Sequence, residues 1–299
     1  TQAFAQSCRS SILRMVAQAQ SGHPGGSLSC IDYLSLIYTQ RVGESNEPVV
    51  VSNGHISPAV YSVLAELKVI PREHVIESFR RPTDIYEGHV NRKIPGVFYG
   101  TGPLGVGGSV ASSFALGNQL SKKEGMVFLL MGDGEQQEGQ AYEMMNFAAK
   151  YKLGNLLLFV DYNEVQLTDS LEAIMPTNVK GHYEAAGWHV QEVNGHDLSA
   201  LWEAIQNAEA VKDKPSVIIG KTVMGKGIAF MEGKGLEKKS DWHGKSPKKE
   251  DADAAVALIQ LTEEEQRVLD AGVAGLKIAI QADSALKTDK VNTGTPKTY

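Results

Sequence analysis

Apolar residues along this chain fall into two patterns, short unbroken runs and stripes spaced three and four apart, and the two alternate. Met126 to Met131 (MVFLLM) and Leu156 to Val160 (LLLFV) are runs of the first kind, with helix-forming sequence between them. Runs this short and apolar read as parallel strands buried on both faces, joined by a crossover helix in a βαβ unit. Val49 to Val51, Trp188 to Val193 and Ser216 to Gly220 extend the series of strands. Helical stripes run through residues 1 to 20 (Ile12, Leu13, Val16) and Ser29 to Gln40 (Ile31, Leu34, Ile37). Pro58 opens a further helix from its first turn, and others are predicted at Pro71 to Phe79, Gly107 to Leu120, Val179 to Ala186 and after a cap at Asp197. Ala252 to Ile259 and Thr262 to Ile280 close the series, Thr262 and Glu265 forming a capping box. Strands alternating with helices predict an α/β fold, a doubly wound, mostly parallel sheet flanked by helices. That domain is expected over residues 1–250, and a C-terminal helical extension and tail over 251–299. Arg80 to Tyr99 has no periodicity and reads as an ordered loop, while the polar stretch Lys287 to Tyr299 reads as a loose tail.

In a βαβ unit both strands end on the same, carboxyl edge of the sheet. Asp133, in Gly132-Asp133-Gly134, and Asn163, in Asp161-Tyr162-Asn163, stand at two such ends and can therefore approach one another across some thirty positions. A carboxylate, an amide oxygen and a backbone carbonyl such as that of Val165 are hard oxygen donors suited to Mg²⁺ or, more loosely, Ca²⁺. Gly134 leaves room for a phosphate, and a helix beginning near Glu138 aims its amides at the same place. Gly-Asp-Gly alone is equally a tight turn; with Asn163 at the matching strand end, a metal-bridged diphosphate is the better reading. The pair resembles the thiamine diphosphate signature, and that resemblance implies metal ligation by Asp133, Asn163 and the Val165 carbonyl.

A net charge of −6 argues against nucleic acid or an anionic membrane as the main partner. No apolar run approaches the length that spans a bilayer, no signal peptide opens the sequence, and two cysteines make no disulfide framework, so a cytoplasmic enzyme is expected. Two phosphate-binding patterns compete. Gly100-Thr101-Gly102-Pro103-Leu104-Gly105 matches the dinucleotide fingerprint, but Glu124 falls before the next strand and Pro103 removes an amide that would face the pyrophosphate. In Gly220 to Gly227 (GKTVMGKG), Gly227 stands where a P-loop needs a hydroxyl, and no convincing helix follows. The small residues Gly107, Gly108, Ala111 and Ala115 are read as a packing face.

Half of the eight histidines lie in glycine-flanked loops: His23 in SGHPG, His55 in NGHIS, His89 in EGHVN and His243 in WHGKS. Histidine moves protons near neutral pH, and glycine lets a substrate come close. His196 is explained by the helix entry at Asp197, and His74, His182 and His189 lack such context.

Together with TGPLG and GDG, these loops closely resemble the N-terminal, diphosphate-binding half of transketolase, from about His23 to His243. The resemblance implies transfer of a two-carbon ketol unit from a ketose to an aldose on thiamine diphosphate, the cofactor serving as electron sink. By motif, His23 and His243 handle the donor hydroxyl proton, His89 holds the ketol end and His55 touches cofactor and substrate. Gly102, Pro103 and Leu104, with His55 and His243, line the cofactor; Asp133, Gly134 and Asn163 take its diphosphate and metal. Glu138 and Glu143 match acids that link paired active sites. Ahead of His243 the chain has Lys239-Ser240 where many relatives have Gly-Thr-His. A 1-deoxyxylulose-phosphate synthase, a 2-oxo-acid dehydrogenase component, or a non-catalytic nucleotide-binding module are the alternatives.

The family's ylid-forming glutamate belongs to a second domain, and this chain of 299 residues ends before one could fit. The expectation is a split transketolase acting on sugar phosphates, whose partner subunit carries the catalytic glutamate and the phosphate-end arginines, with two copies of each chain in a heterotetramer.

Overall fold

Five strands form one parallel sheet in the computed structural model of the chain, which describes residues 1–280 apart from 46, 83 and 238–240. They are β1 (Val49–Val51), β2 (Val127–Gly132), β3 (Leu156–Tyr162), β4 (His189–Asn194) and β5 (Ser216–Lys221), ordered β1-β2-β3-β5-β4. The helices are α1 (Gln2–Ala19), α2 (Pro24–Ser29), α3 (Ile31–Ile37), α4 (Ser57–Glu66), α5 (Arg72–Ser78), α6 (Val106–Leu120), α7 (Gly139–Lys150), α8 (Val179–Ala185), α9 (Leu198–Ala210), α10 (Lys249–Leu258) and α11 (Glu263–Gly275), with shorter turns between them. Among the described residues, no helix is long and apolar enough to cross a membrane.

Strand side chains alternate between two apolar layers, and this is why the runs contain no polar positions. Phe128 and Leu130 of β2 with Leu157 and Phe159 of β3 face one cluster, built with Ile12, Val16, Leu34, Leu64 and Ile205 of the surrounding helices. Leu129 and Met131 of β2 with Leu158 and Val160 of β3 face the other, with Ala111, Ala115, Met144 and Tyr183 from α6, α7 and α8. Both faces are therefore covered, the condition that a parallel sheet requires. At its amino end α6 comes close: a Cβ on Gly107 would lie 2.6 Å from Ser52, and one on Gly108 3.0 Å from Met144, so the small residues are a packing face. Both α10 and α11 pack on α1, and Leu269 and Val273 join the first cluster. The Thr262 hydroxyl and the Glu265 carboxylate form the capping box.

Three local expectations change. The helix expected over Ser29 to Gln40 breaks at Cys30, starts earlier, and runs on after α3 into a π turn, Tyr38–Val42. Pro24, Gly25 and Gly26 are helical rather than loop, because proline is preset for a helix's first turn and His23 serves as N-cap. The last helix stops at Gly275 instead of Ile280, after two glycines, with Leu276 extended. Residues 287–299, expected to be a loose tail, and Lys239-Ser240 lie outside the described residues.

Two glycines at the carboxyl edge differ in what surrounds them. A Cβ built at Gly54 would overlap the Thr101 hydroxyl, whereas one at Gly102 would meet nothing within 4 Å. Gly54→Ala is expected to cost about 1–3 kcal/mol by overpacking, and Gly102→Ala less than about 0.5 kcal/mol. Urea unfolding of the two variants measures the contrast; equal losses would contradict it.

Candidate active site

Because β2 and β3 run parallel with Gly132 opposite Asp161, the turns that follow them emerge side by side. Asp133, only 3% exposed, accepts hydrogen bonds from Gly134 N at 2.7 Å and from Glu164 N at 2.5 Å. The second bond closes the gap between the two tips, and Glu164 adopts left-handed backbone (φ 63°) within it. Next to it, the Asn163 amide is fixed by three contacts. Its Nδ2 donates to Asp161 Oδ2 at 3.0 Å and to Ser29 Oγ at 3.3 Å, while its Oδ1 accepts from Val165 N at 3.0 Å. Asp161, 1% exposed, also accepts from Ser29 Oγ at 2.5 Å and Thr222 Oγ1 at 2.6 Å, tying the end of α2 and the end of β5 to β3. Burial, and after it the Asp161 charge, push the Asp133 carboxyl up to about 7. Among the described residues no basic side chain pairs with Asp133.

Glu135 organises the neighbouring loops. It is 2% exposed, accepts from Gly105 N at 2.6 Å and Gly132 N at 3.2 Å, and also from the Ser52 hydroxyl. One carboxylate thus holds the end of β1, the turn after β2 and the loop Gly100 to Gly105 together, and burial raises it to about 7. Beyond that clamp, Gly102, Pro103 and Leu104 stand exposed at the rim, and Gly134 lies against the Gln166 side chain.

The four glycine-flanked histidines converge. Ring centroids are 4.9 Å apart for His23 and His55, 5.8 Å for His23 and His243, 5.7 Å for His55 and His243, and 6.5 Å for His55 and His89. They come from four segments: the cap of α2, the turn after β1, and two long loops. Backbone bonds make the meeting possible. Gly25 N donates to the Trp242 carbonyl at 3.0 Å and Gly225 N to the Gly25 carbonyl at 3.1 Å, while Val90 N donates to the Gly54 carbonyl at 3.2 Å. Gly25 is needed there, since a Cβ would lie 2.7 Å from the Trp242 oxygen. Trp242 takes a left-handed φ of 73° and packs its ring on Phe230, which anchors the neighbour of His243.

Burial and mutual repulsion hold these imidazoles neutral. His23 falls to about 4, through burial first and then the charges of His243, Arg80 and His89. His55 lies well below the usual histidine range, and His89 and His243 are also lowered, in each case chiefly by burial. The Val165 backbone hydrogen-bonds the His243 ring and opposes that shift, linking the β3 tip to the cluster. His23 Nδ1 is buried without a hydrogen-bond partner, an unsatisfied group pointing to chemistry that a ligand would complete.

Other histidines stay outside. His196 is more than a helix entry: its Nε2 accepts from Val223 N at 2.8 Å, so Nδ1 carries the proton shared with Asp32 Oδ2 at 2.8 Å, and Arg9 completes the network at 2.7 Å. His74 meets Asp84 at 3.0 Å, and His182 and His189 make contacts of 3.3 Å with Tyr142 and Ser216. Glu138 caps α7 and Glu143 lies on its first turns; both are exposed and away from the histidines' polar contacts. Glu135, Asp161 and Ser29 are site residues that the motifs do not single out. Glu135 follows GDG directly and Asp161 precedes Asn163 by two positions, so an acid in a strand-end motif is the signal the sequence carries for them.

Residues 1–268 match the family model described as transketolase, thiamine diphosphate binding domain. The chain is 34% identical over 232 residues to the 6-deoxy-6-sulfo-D-fructose transketolase subunit of Clostridium sp. (strain MSTE9), covering 74% of this chain and 84% of that one. It is 32% identical over 257 residues to an apulose-4-phosphate transketolase subunit of Phocaeicola vulgatus, covering 83% and 89%. The solved transketolase of Campylobacter jejuni superposes with a TM-score of 0.79 at 27% identity over 92% of this chain, which spans only 46% of that protein. The chain therefore belongs to the transketolase family, within which it corresponds to the N-terminal, thiamine diphosphate-binding part.

Proposed function

We propose that this chain is the N-terminal subunit of a thiamine diphosphate-dependent transketolase, moving a two-carbon ketol unit between sugar phosphates with a partner subunit that carries the catalytic glutamate. The observation that carries this reading is the gathering of four neutral histidines beside the joined tips of β2 and β3. Two relatives of similar length are named as transketolase subunits, and this supports a partner chain. Two copies of each chain, sugar phosphate substrates and a cytoplasmic setting complete the proposal, the last supported by two unpaired, buried cysteines.

The residues present fit the cofactor's polar end. Asp133 and Asn163 offer a carboxylate and an amide oxygen of the hard type that Mg²⁺ or Ca²⁺ prefers, with the Val165 carbonyl as a third donor. Asp133 is buried and unpaired with any basic side chain among the described residues, and a divalent cation would balance its charge. Gly102 faces open space, which Pro103 and Leu104 border, where a ring could lie; Gly134 leaves the diphosphate a glycine backbone. When bound, thiamine diphosphate supplies the carbanion and the electron sink. This chain's residues supply position and proton movement. Neutral His23 and His243 accept and return the donor hydroxyl proton, His89 hydrogen-bonds the ketol end, and His55 spans cofactor and substrate. Glu138 and Glu143, exposed at the start of α7, would meet a second copy or the partner.

The direct test is a coupled assay of the chain alone and with the product of the adjacent gene, in thiamine diphosphate and Mg²⁺. Turnover should need both chains; full activity from this chain alone would reject the split enzyme. In that complex, His23→Ala should lower kcat/KM by about 10² to 10⁴-fold, and an unchanged value would remove His23 from the mechanism. The depressed pKa of His23 also has a stability consequence. An unfolded histidine takes a proton near pH 6.5 and the folded one only near 4, so its contribution is intact above 6.5 and lost as pH falls towards 4. The stability advantage of wild type over His23→Gln should therefore shrink between pH 7 and 4 in urea titrations. A constant difference would contradict the burial of a neutral ring.

A further inference from the structure

The loop that follows α5 holds a cation for which proton transfer has no use. Arg80 adopts left-handed backbone (φ 58°), fixed by its N–H donating to the Tyr86 carbonyl at 2.8 Å. The left-handed residue closes the end of α5, as Gln20, Lys68, Lys122 and Lys152 do after other helices, and it fixes where the side chain starts. Two further features place its guanidinium. Nη1 donates to Ser21 Oγ at 2.6 Å, on the loop that carries His23. Gly88, the neighbour of His89, leaves room for the fork, since a Cβ there would lie 2.5 Å from Nε and 2.7 Å from Cζ and Nη2. Any side chain at position 88 would push the guanidinium out.

The guanidinium so placed has no ion-pair partner among the described residues. Arg80 Nε is buried without an acceptor. The nearby acids are engaged elsewhere: Asp84 pairs with His74 Nε2 at 3.0 Å, and Glu87 Oε1 accepts from Asn91 Nδ2 at 2.8 Å. A cavity of about 470 Å³ is lined by Arg80, Arg81, Gly88 and His89 together with Pro82 and the two engaged acids, Asp84 and Glu87. Arg80 also lies close enough to the histidines for its charge to lower His23, His55 and His89. A planar, always-charged fork held rigid beside a reacting centre recognises oxyanions.

The structure assigns Arg80 as an anion-recognition residue that this chain itself contributes, taking a terminal phosphate or sulfonate of the sugar substrate. The assignment rests on the transketolase reading above and adds to it, because the motifs alone place every such arginine on the partner subunit. Arg81, exposed and donating to the Glu77 carbonyl, lines the same cavity without that fixation and serves as the control.

Two measurements test it. Inorganic phosphate titrated into the isolated chain should shift the His89 ring resonances saturably; Arg80→Gln should weaken that binding about 10- to 100-fold, the worth of a charged hydrogen bond, while Arg81→Gln should weaken it far less. Phosphate binding unchanged in Arg80→Gln would overturn the assignment. In the two-chain complex, kcat/KM is then compared for an aldehyde acceptor ending in phosphate, the same acceptor ending in sulfonate, and one ending in a free hydroxyl. The preference for an anionic over the neutral acceptor should fall about 10- to 100-fold in Arg80→Gln and recover partly in Arg80→Lys; whichever anion loses more is the natural one. Equal losses on all three acceptors would make Arg80 a loop staple and overturn the assignment. If the wild-type complex turned over none of them, the transketolase reading would fail, and the phosphate titration would still decide the role of Arg80.

Discussion

Parallel pairing of β2 with β3 is the constraint on which the site depends. Parallel strands deliver their following turns to one edge, so residues that the chain separates by tens or hundreds of positions meet there as a consequence of the topology. The bond from Glu164 N to Asp133 makes that edge a fixed geometry rather than a mere neighbourhood. Around it the turn after β1 brings His55, the cap of α2 brings His23, and the segment after β5 folds back to bring His243. Shifting the β2–β3 register by one residue would turn Phe128 and Leu130 to the opposite layer and exchange the two cores, so both apolar faces enforce the alignment of the tips.

Three buried carboxylates occupy this edge, and each is satisfied by donors rather than by a basic side chain. Asp133 uses two backbone amides, Glu135 two amides and a hydroxyl, and Asp161 two hydroxyls and the Asn163 amide. Such groups cost folding energy through desolvation, and hydrogen bonds offset only part of it. The arrangement trades stability for position: Glu135 locks three loops that bear candidate site residues, and Asp161 orients the Asn163 amide so that its Oδ1 turns away from the acid. Histidines held neutral beside them keep acceptor lone pairs available at physiological pH.

Much of this is legible in the sequence because it is local. Short apolar runs, proline at Pro58, the cap at Asp197 and the Thr262–Glu265 box each involve neighbours in sequence, and glycine-flanked histidines stand out from any amphipathic pattern. What is not legible depends on long-range pairing. Ser52 and Glu135 bond across 83 positions and Asp32 and His196 across 164, so neither partner signals its role in its own segment. For that reason His196 shows in sequence only as a helix entry. The start of α2 is hidden for a different one: proline and glycine usually mark loops, but here proline begins a helix and glycine admits the Trp242 carbonyl.

The placement of a divalent cation between the β2 and β3 tips is the claim on which the functional reading turns. Crystals grown with thiamine diphosphate and Mn²⁺ in place of Mg²⁺ address it directly through the anomalous scattering of manganese. A peak within about 2.0–2.4 Å of the Asp133 carboxylate and the Asn163 amide oxygen is the expected outcome. Manganese bound elsewhere, or those two oxygens engaging nothing while the cofactor is held by other residues, would contradict it.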